Sequence, residues 1–110
     1  MDMDRLQEQV RELTRGIEHP RVGAALALAE ECGEVMRCVL EREYYGQERS
    51  AALQEEVGDV LIALAELCDR FELSLGASAE LAVEKLREKA PEWRESLGAH
   101  LQSLRKRMDG

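Results

Sequence analysis

The sequence predicts an all-α fold, a four- to five-helix bundle, from its composition and from the spacing of its apolar residues. Only 2 prolines occur in 110 residues, and Ala, Leu, Glu and Arg dominate the chain, which favours helices. Aromatic residues make up 4% of the chain, a scarcity that argues against a β-sandwich or barrel. Along most of the sequence, apolar residues recur at intervals of three and four, the period of an amphipathic helix.

Breaks in this periodicity divide the chain into separate helices. His19-Pro20 ends the first helix, because a proline disfavours the helical conformation in the residue that precedes it. Gly46 supplies the turn of a connecting loop, and Ser78 is a candidate N-cap for the fourth helix. The third helix is the most apolar and is expected at the centre of the bundle. The predicted helices cover residues 2–17, 21–43, 51–71 and 79–89, with a charged C-terminal helix at 91–108.

Length and charge limit the classes of protein that fit the sequence. A chain of 110 residues predicts one helical domain spanning 1–110, small enough that a dimer or larger assembly is expected. A net charge of −8 provides no attraction to a nucleic-acid backbone, so no nucleic-acid partner is expected. No apolar run approaches the ~18 residues of a membrane span, and none follows the acidic N-terminus. A cytoplasmic protein with no membrane partner is therefore expected.

The three cysteines, Cys32, Cys38 and Cys68, form no Cys-x-x-Cys pair. An odd number of cysteines without metal-ligand spacing favours small buried hydrophobic residues in a reducing cytosol.

Two acidic motifs form the candidate functional site. Glu31-x-x-Glu34 and Glu56-x-x-Asp59 lie in the second and third predicted helices, and both belong to the pattern Glu-Glu-x-Gly-acid-Val. Residues three apart share a helix face, so each motif presents two carboxylates together at the border of an apolar face. Such carboxylates repel each other and lose hydration, and a hard divalent cation would relieve both costs.

Spacing alone leaves two interpretations equally open, a metal site and ordinary solvated glutamates. Glycine inside a helix costs roughly 1 kcal/mol relative to alanine, so Gly33 and Gly58 inside the two motifs indicate the close approach of another helix or a ligand. Four carboxylates on two antiparallel helices would hold one to three Mg²⁺ ions. A di-iron bundle needs Glu-x-x-His, and His19 and His100 do not follow a glutamate by three; both are expected to be surface or capping residues.

These residues resemble the MazG-like all-α NTP pyrophosphatase (nucleotide pyrophosphohydrolase) superfamily, in its short single-domain form. The similarity lies in the order Glu-x-x-Glu, a spacer, then Glu-x-x-Asp, with Asp59-Val60-Leu61 opening a long apolar helix. It covers about residues 21–94. The stretch 85–89 is similar to the basic segment of that family.

The resemblance implies a Mg²⁺-dependent hydrolase that cleaves a (d)NTP between the α and β phosphates, giving a (d)NMP and pyrophosphate, in nucleotide-pool cleaning. Mn²⁺ is an alternative ion, and a homodimer or homotetramer is implied. By position, the metal ligands and catalytic residues would be Glu31, Glu34, Glu56 and Asp59.

The resemblance also points to substrate contacts near the end of the fourth helix. Lys85 is the first candidate for a phosphate contact, and Lys89 and Arg94 are weaker candidates for which a solvated helix face is the alternative. Trp93 is a candidate for stacking on the base, with a core or interface anchor as the alternative.

Two other functions stay open. One is phosphoribosyl-ATP pyrophosphohydrolase, although the sequence after Asp59, Val-Leu-Ile-Ala-Leu, lacks the tyrosine-histidine pair associated with that branch. The other is a non-catalytic helical interaction module of the same fold, against which the four intact acidic positions argue.

Overall fold

The computed structural model describes residues 2–48 and 50–109, which fold into helices without any strand. The helices are α1 (Met3–Leu13), α2 (Arg21–Tyr45), α3 (Ser50–Arg70) and α4 (Leu75–Asp109). The all-α class is therefore confirmed, with four helices in the described part of the chain. By compactness the chain divides into two units, Met1–Ala77 and Ser78–Gly110. A single domain spanning 1–110 stays a prediction.

Helix α3 is central in the first unit, as predicted, because both α1 and α2 pack on it. Burial of apolar surface on this helix supplies the main favourable free energy of the unit. Its core joins α1, α3 and the first residue of α4. The core residues are Val10, Ala65, Cys68 and Leu75, with Met3, Leu6 and Leu64 packed against them.

Helices α2 and α3 run antiparallel. The guanidinium carbon of Arg21, at the start of α2, lies 4.6 Å from the ring centroid of Phe71, just beyond the end of α3. Ala24 on α2 is 1% exposed, so the two helices approach closely at a small residue. This pairing brings the middle of α2 beside the first half of α3, where the two acidic motifs lie.

A buried glutamine joins α1 to the α3–α4 connection. The side-chain amide of Gln7 donates to the carbonyl of Leu73 at 2.8 Å, and its oxygen accepts from the backbone N–H of Leu75 at 2.8 Å. Gln7 is 5% exposed, so both bonds form away from water, where an unpaired polar group is costly. The glutamine therefore fixes how the chain leaves α3.

Helix α1 is shorter than the predicted 2–17. It begins after Asp2, whose side chain accepts a hydrogen bond from the backbone N–H of Arg5 at 2.7 Å, and it ends at Leu13. Gly16 has a φ of 85°, a left-handed conformation that glycine adopts without steric cost. This turn ends the helical path, and Ile17 is consequently 75% exposed outside the helix.

The turn after α3 uses a left-handed residue that is not glycine. Glu72 has a φ of 57°. The backbone N–H of Leu73 donates to the carbonyl of Cys68 at 2.8 Å, and that of Glu72 donates to Asp69 at 3.2 Å. This pair of bonds is the Schellman arrangement, which satisfies carbonyls at the end of a helix.

Helix α4 begins earlier than predicted. Ser74 Oγ accepts from the backbone N–H of Ala77 at 3.0 Å, which is the N-cap hydrogen bond that Ser78 was expected to make. Residues 75–78 therefore lie inside the helix instead of in a break before it.

The fifth helix predicted at 91–108 does not exist as a separate element, because α4 is continuous through Pro91. Proline fixes φ near the helical value, but it lacks the N–H donor and its ring crowds the carbonyl four residues earlier, so α4 continues through Pro91 at a local energetic cost. The prediction that Pro91 separates two helices was therefore wrong.

The cysteines follow the prediction in part. Cys38 and Cys68 are buried and free, and burial raises the pKa of the Cys68 thiol. Cys32 is also free but exposed, because it lies on the face of α2 that α3 does not cover.

Candidate functional site

The two acidic motifs meet where α2 packs on α3. Glu31 lies seven residues before the buried Cys38 and seven after the buried Ala24, so all three share the face of α2 that contacts α3. Glu56 and Asp59 occupy one face near the start of α3. Antiparallel packing therefore directs carboxylates from both helices into the same space.

Three of these carboxylates form a compact cluster. One oxygen from each of Glu31, Glu56 and Asp59 lies within 4.8 Å of the others. Glu31 and Glu56 are half-buried and Asp59 is exposed, so the cluster opens to solvent on one side. All three donors are hard carboxylate oxygens, the ligand type that Mg²⁺ and Mn²⁺ prefer over thiolate or imidazole.

The electrostatics of the cluster suit a cation. The pKa of the Glu31 carboxyl is raised, first by partial loss of hydration and then by the negative charges of Asp59, Glu56, Glu30 and Glu34. A raised pKa means that the negative form of Glu31 is disfavoured in the protein alone. A bound divalent cation would reverse that penalty, so the donor set fits the metal that the acidic pattern predicts.

Glu34, the fourth predicted metal ligand, lies outside this cluster of three. Its Oε2 is 2.6 Å from Nη2 of Arg37. Arg37 Nε also lies 3.9 Å from Glu41. Glu34 lies one helical turn from Glu31 on the same face of α2. Its carboxylate is paired with Arg37 and not with the other three carboxylates.

A groove beside the cluster brings in two residues that the sequence analysis did not assign to the site. It encloses about 250 Å³ and is lined by His19, Glu31, Asp59 and Glu66, together with Ala27, Ile62 and Ala63. His19 Nδ1 is 2.5 Å from Oε1 of Glu66. The Glu66 side chain is only 12% exposed, so this carboxylate is largely enclosed.

A sequence signal for Glu66 does exist. Glu66 follows Asp59 by seven residues, which places both on one face of α3 two turns apart. Glu66 also begins a Glu-x-x-Asp pattern with Asp69, which lacks the internal glycine of the two acidic motifs. His19 is exposed, as expected of a surface residue, and it also forms a hydrogen bond that joins the segment before α2 to Glu66 on α3.

The predicted substrate contacts lie in the second unit. Lys85, Lys89 and Trp93 follow each other at intervals of four on α4, so they share a helix face, and Arg94 lies beside it. Lys89 Nζ is 4.0 Å from Glu92, and Trp93 is 47% exposed. All four side chains reach solvent.

The glycines inside the acidic motifs do not contact another helix of this chain. A Cβ added to Gly33 or Gly58 would meet no atom of the described residues within 4 Å. Within residues 2–48 and 50–77, no neighbouring helix therefore explains these glycines, and the approach of a ligand stays a prediction.

No helix in residues 2–48 and 50–109 combines the length and the apolar character that a membrane crossing requires.

Comparison with known proteins gives one family. No curated protein and no solved structure matches the chain significantly. The model of the MazG nucleotide pyrophosphohydrolase domain matches residues 21–93, which include the four residues of both acidic motifs and Lys85. This match covers more than half of the 110 residues and agrees with the all-helical fold. The chain therefore belongs to the family of the MazG nucleotide pyrophosphohydrolase domain.

Proposed function

We propose that the chain is a Mg²⁺-dependent nucleoside triphosphate pyrophosphohydrolase that converts a (d)NTP to a (d)NMP and pyrophosphate. The observation that carries this proposal is the carboxylate cluster of Glu31, Glu56 and Asp59, whose oxygens lie within 4.8 Å of one another. A triphosphate and an acidic site repel each other, so this site can act on a triphosphate only with a bridging cation. Family membership supplies the reaction class.

Glu31, Glu56 and Asp59 would hold the metal, and Glu34 would complete the set. Bound there, Mg²⁺ (or Mn²⁺) would neutralise phosphate charge and acidify water near the α-phosphorus. Glu34 reaches this shell only if its carboxylate leaves Arg37, and Arg37 is 66% exposed, so the exchange breaks a solvent-accessible pair of small net energy.

The chain's own carboxylates would also handle the proton of the attacking water. A carboxylate that is not fully engaged by metal can accept that proton. Glu34 fits this description in the alternative arrangement, in which Arg37 keeps its carboxylate outside the metal shell. Cleavage between the α and β phosphates then leaves negative charge on pyrophosphate, which basic side chains stabilise.

We assign that phosphate contact first to Lys85, with Lys89 and Arg94 as weaker candidates, and base stacking to Trp93. The support is chemical. Lysine and arginine bind phosphate oxygens, and a half-exposed tryptophan offers a free ring surface.

We further propose a cytoplasmic enzyme of nucleotide-pool cleaning that assembles as a homodimer or homotetramer. The face of α2 turned away from α3 carries Val22, Leu26 and Met36, which are 72%, 66% and 58% exposed. Val57 on α3 is 47% exposed. Apolar surface of this extent on a small domain favours a partner subunit.

The decisive experiment measures pyrophosphate release from a panel of canonical and modified NTPs and dNTPs with Mg²⁺. Glu56→Gln keeps the size of the side chain and removes a charge from the cluster, so activity should fall by at least about 100-fold. Glu55→Gln is the matched control, since Glu55 is the exposed neighbour outside the cluster, and it should retain activity. Equal activity in both variants contradicts the metal assignment.

Two results would redirect the functional proposal. Pyrophosphate released from phosphoribosyl-ATP alone would identify the histidine-synthesis reaction instead. No release from any substrate, together with no calorimetric Mg²⁺ binding in the presence of a nonhydrolysable triphosphate, would favour a non-catalytic interaction module.

A further inference from the structure

A pocket at one end of the α2–α3 pair concentrates positive charge. It encloses about 350 Å³ and is lined by Arg21, at the start of α2, and by Arg70, Phe71 and Glu72, at and just beyond the end of α3. The antiparallel packing of the two helices brings these residues together. Two basic side chains and one acidic side chain leave an uncompensated positive charge in this pocket, although the whole chain has a net charge of −8.

The two arginines have no acidic partners. In the part of the chain that the structure describes, neither Arg21 nor Arg70 forms an ion pair. Two other arginines of the first unit differ in this respect, since Arg11 and Arg37 each lie within hydrogen-bond distance of a carboxylate, at 2.7 and 2.6 Å. The two guanidinium groups of the pocket are therefore available to an anion.

Arg70 also has a buried donor without an acceptor. Its Nε is enclosed and has no hydrogen-bond partner among the described residues. An unsatisfied buried donor is costly, and such a group in a native protein calls for a bound water or ion as its partner. A positive charge in the last turn of α3 favours the helix dipole, but an exposed arginine would provide that charge equally well. The helix dipole therefore does not explain the enclosed Nε.

Phe71 holds the second guanidinium group in place. The guanidinium carbon of Arg21 lies 4.6 Å from the centroid of the Phe71 ring, within the range of a cation–π contact. The ring attracts the charge but offers no oxygen to the five N–H donors of an arginine. A cation that is already positioned loses less conformational entropy when a ligand binds.

The chemistry of the pocket favours phosphate, and its position separates it from the carboxylate cluster. A guanidinium group binds two phosphate oxygens at once through its planar N–H donors, and a phosphate has enough oxygens for two such groups. Arg21 precedes Glu31 by ten residues and Arg70 follows Asp59 by eleven. At 1.5 Å per residue, the pocket lies about 15 Å from the cluster along both helices.

We propose that Arg21 and Arg70 bind the phosphate group of an anion, at a site separate from the carboxylate cluster. Free phosphate and the phosphate of a nucleotide share the chemistry that this site recognises. A nucleotide would in addition find the apolar ring of Phe71 beside its phosphate. The inference does not depend on the reaction assigned to the acidic site.

Calorimetric titration of the full chain with inorganic phosphate, in metal-free buffer, tests the site. Arg21→Gln and Arg70→Gln should each weaken binding by at least about 10-fold, because each removes charge-assisted hydrogen bonds. Arg42→Gln is the matched control, since it removes the same charge near the other end of α2, and its affinity should be unchanged. No binding by the unsubstituted chain, or equal binding by Arg70→Gln and Arg42→Gln, would overturn the proposal.

Two further variants separate this site from folding defects and from the acidic site. Glu72→Gln removes the acidic side chain of the pocket and should tighten phosphate binding by about 2- to 5-fold, a gain that misfolding cannot produce. Glu55→Gln, far away on α3, should not change the affinity. Glu56→Gln should also bind phosphate normally, so loss of pyrophosphohydrolase activity and loss of this site are distinguishable. Unchanged affinity in Glu72→Gln would contradict the placement of the phosphate.

A nucleoside monophosphate identifies the source of the phosphate group in the same titration. Tighter binding than that of inorganic phosphate, lost in Phe71→Ala, would support a nucleotide as the ligand. Equal binding of both probes would support a free phosphate anion. Binding of the monophosphate that Arg21→Gln and Arg70→Gln leave unchanged would overturn the proposal.

Discussion

His19 and Glu66 form a hydrogen bond of 2.5 Å between Nδ1 and Oε1 that joins the segment before α2 to the second half of α3. Glu66 is 12% exposed in its side chain, whereas His19 is 54% exposed. The bond therefore satisfies an enclosed carboxylate with a donor that solvent can reach. Both residues line the groove beside Glu31 and Asp59. The bond therefore also fixes the positions of two side chains that line the candidate site.

Removing the donor should destabilise the first unit. His19→Ala leaves the enclosed carboxylate of Glu66 without its partner, and we expect the free energy of unfolding to fall by about 1 kcal/mol. Urea denaturation followed by circular dichroism measures the change. His100→Ala is the control, since His100 is exposed on α4, and it should change stability by less than about 0.5 kcal/mol. A double-mutant cycle with Glu66→Gln that gives no coupling energy would contradict the role of the bond.

Stability should depend on pH through Glu31. Its pKa is raised in the folded protein, first by partial loss of hydration and then by Asp59 and Glu56. The folded state then binds more protons than the unfolded state between the two pKa values, so the free energy of unfolding decreases as pH rises through this interval. Above the raised pKa, the charged Glu31 destabilises the metal-free protein.

Glu31→Gln removes this pH-dependent penalty. In metal-free buffer at neutral pH, the variant should be more stable than the unsubstituted chain, and the advantage should disappear in acid. Added Mg²⁺ should stabilise the unsubstituted chain more than the variant, because a ligand stabilises the state that binds it. Thermal unfolding across pH, with Glu55→Gln as the control, measures both effects. A variant that is less stable than the unsubstituted chain at neutral pH without metal would contradict the electrostatic account.

Local pattern was sufficient to predict that carboxylates of the two acidic motifs lie close together, and insufficient to predict the residues around them. Glu56 and Asp59 share a face of α3 by spacing alone, and the sequence places that pair at the border of an apolar face. Gln7 and Glu66 could not be assigned in that way, because their partners lie 66 and 47 residues away in sequence. Such contacts depend on the packing of helices, which no short motif encodes.

Helix boundaries were predicted incorrectly where two residues of the same type could each cap the helix. Serine caps a helix at Ser74, yet Ser78, four residues later, has the same intrinsic preference. The choice between them is made by Gln7, which accepts the Leu75 N–H. Pro91 was expected to end the fourth helix or begin a fifth, whereas α4 continues through it despite the lost N–H donor and the crowding that an interior proline causes.

Gln7 should contribute strongly to the free energy of unfolding, although its side chain is polar. Gln7→Ala removes both hydrogen bonds and leaves the Leu73 carbonyl and the Leu75 N–H without partners in a buried position. We expect a loss of about 2–3 kcal/mol in the free energy of unfolding, since an unsatisfied buried polar group costs about 1–3 kcal/mol. Gln9→Ala, on the same helix and half-buried, is the control in chemical denaturation. Equal losses in the two variants would show that helix propensity, and not the bridge, is responsible.

The left-handed residue after α3 offers a stabilising substitution. Glu72 has a φ of 57°, where any side chain with a Cβ costs about 1–2 kcal/mol and glycine costs little. Glu72→Gly should therefore raise the free energy of unfolding by about 0.5–1 kcal/mol, after the larger entropy of glycine in the unfolded chain is counted. Glu72→Ala separates this effect from charge, because a negative side chain near the end of a helix also interacts unfavourably with the helix dipole. If the alanine variant gains as much stability as the glycine variant in urea denaturation, the charge of Glu72 and not its backbone conformation is the cause.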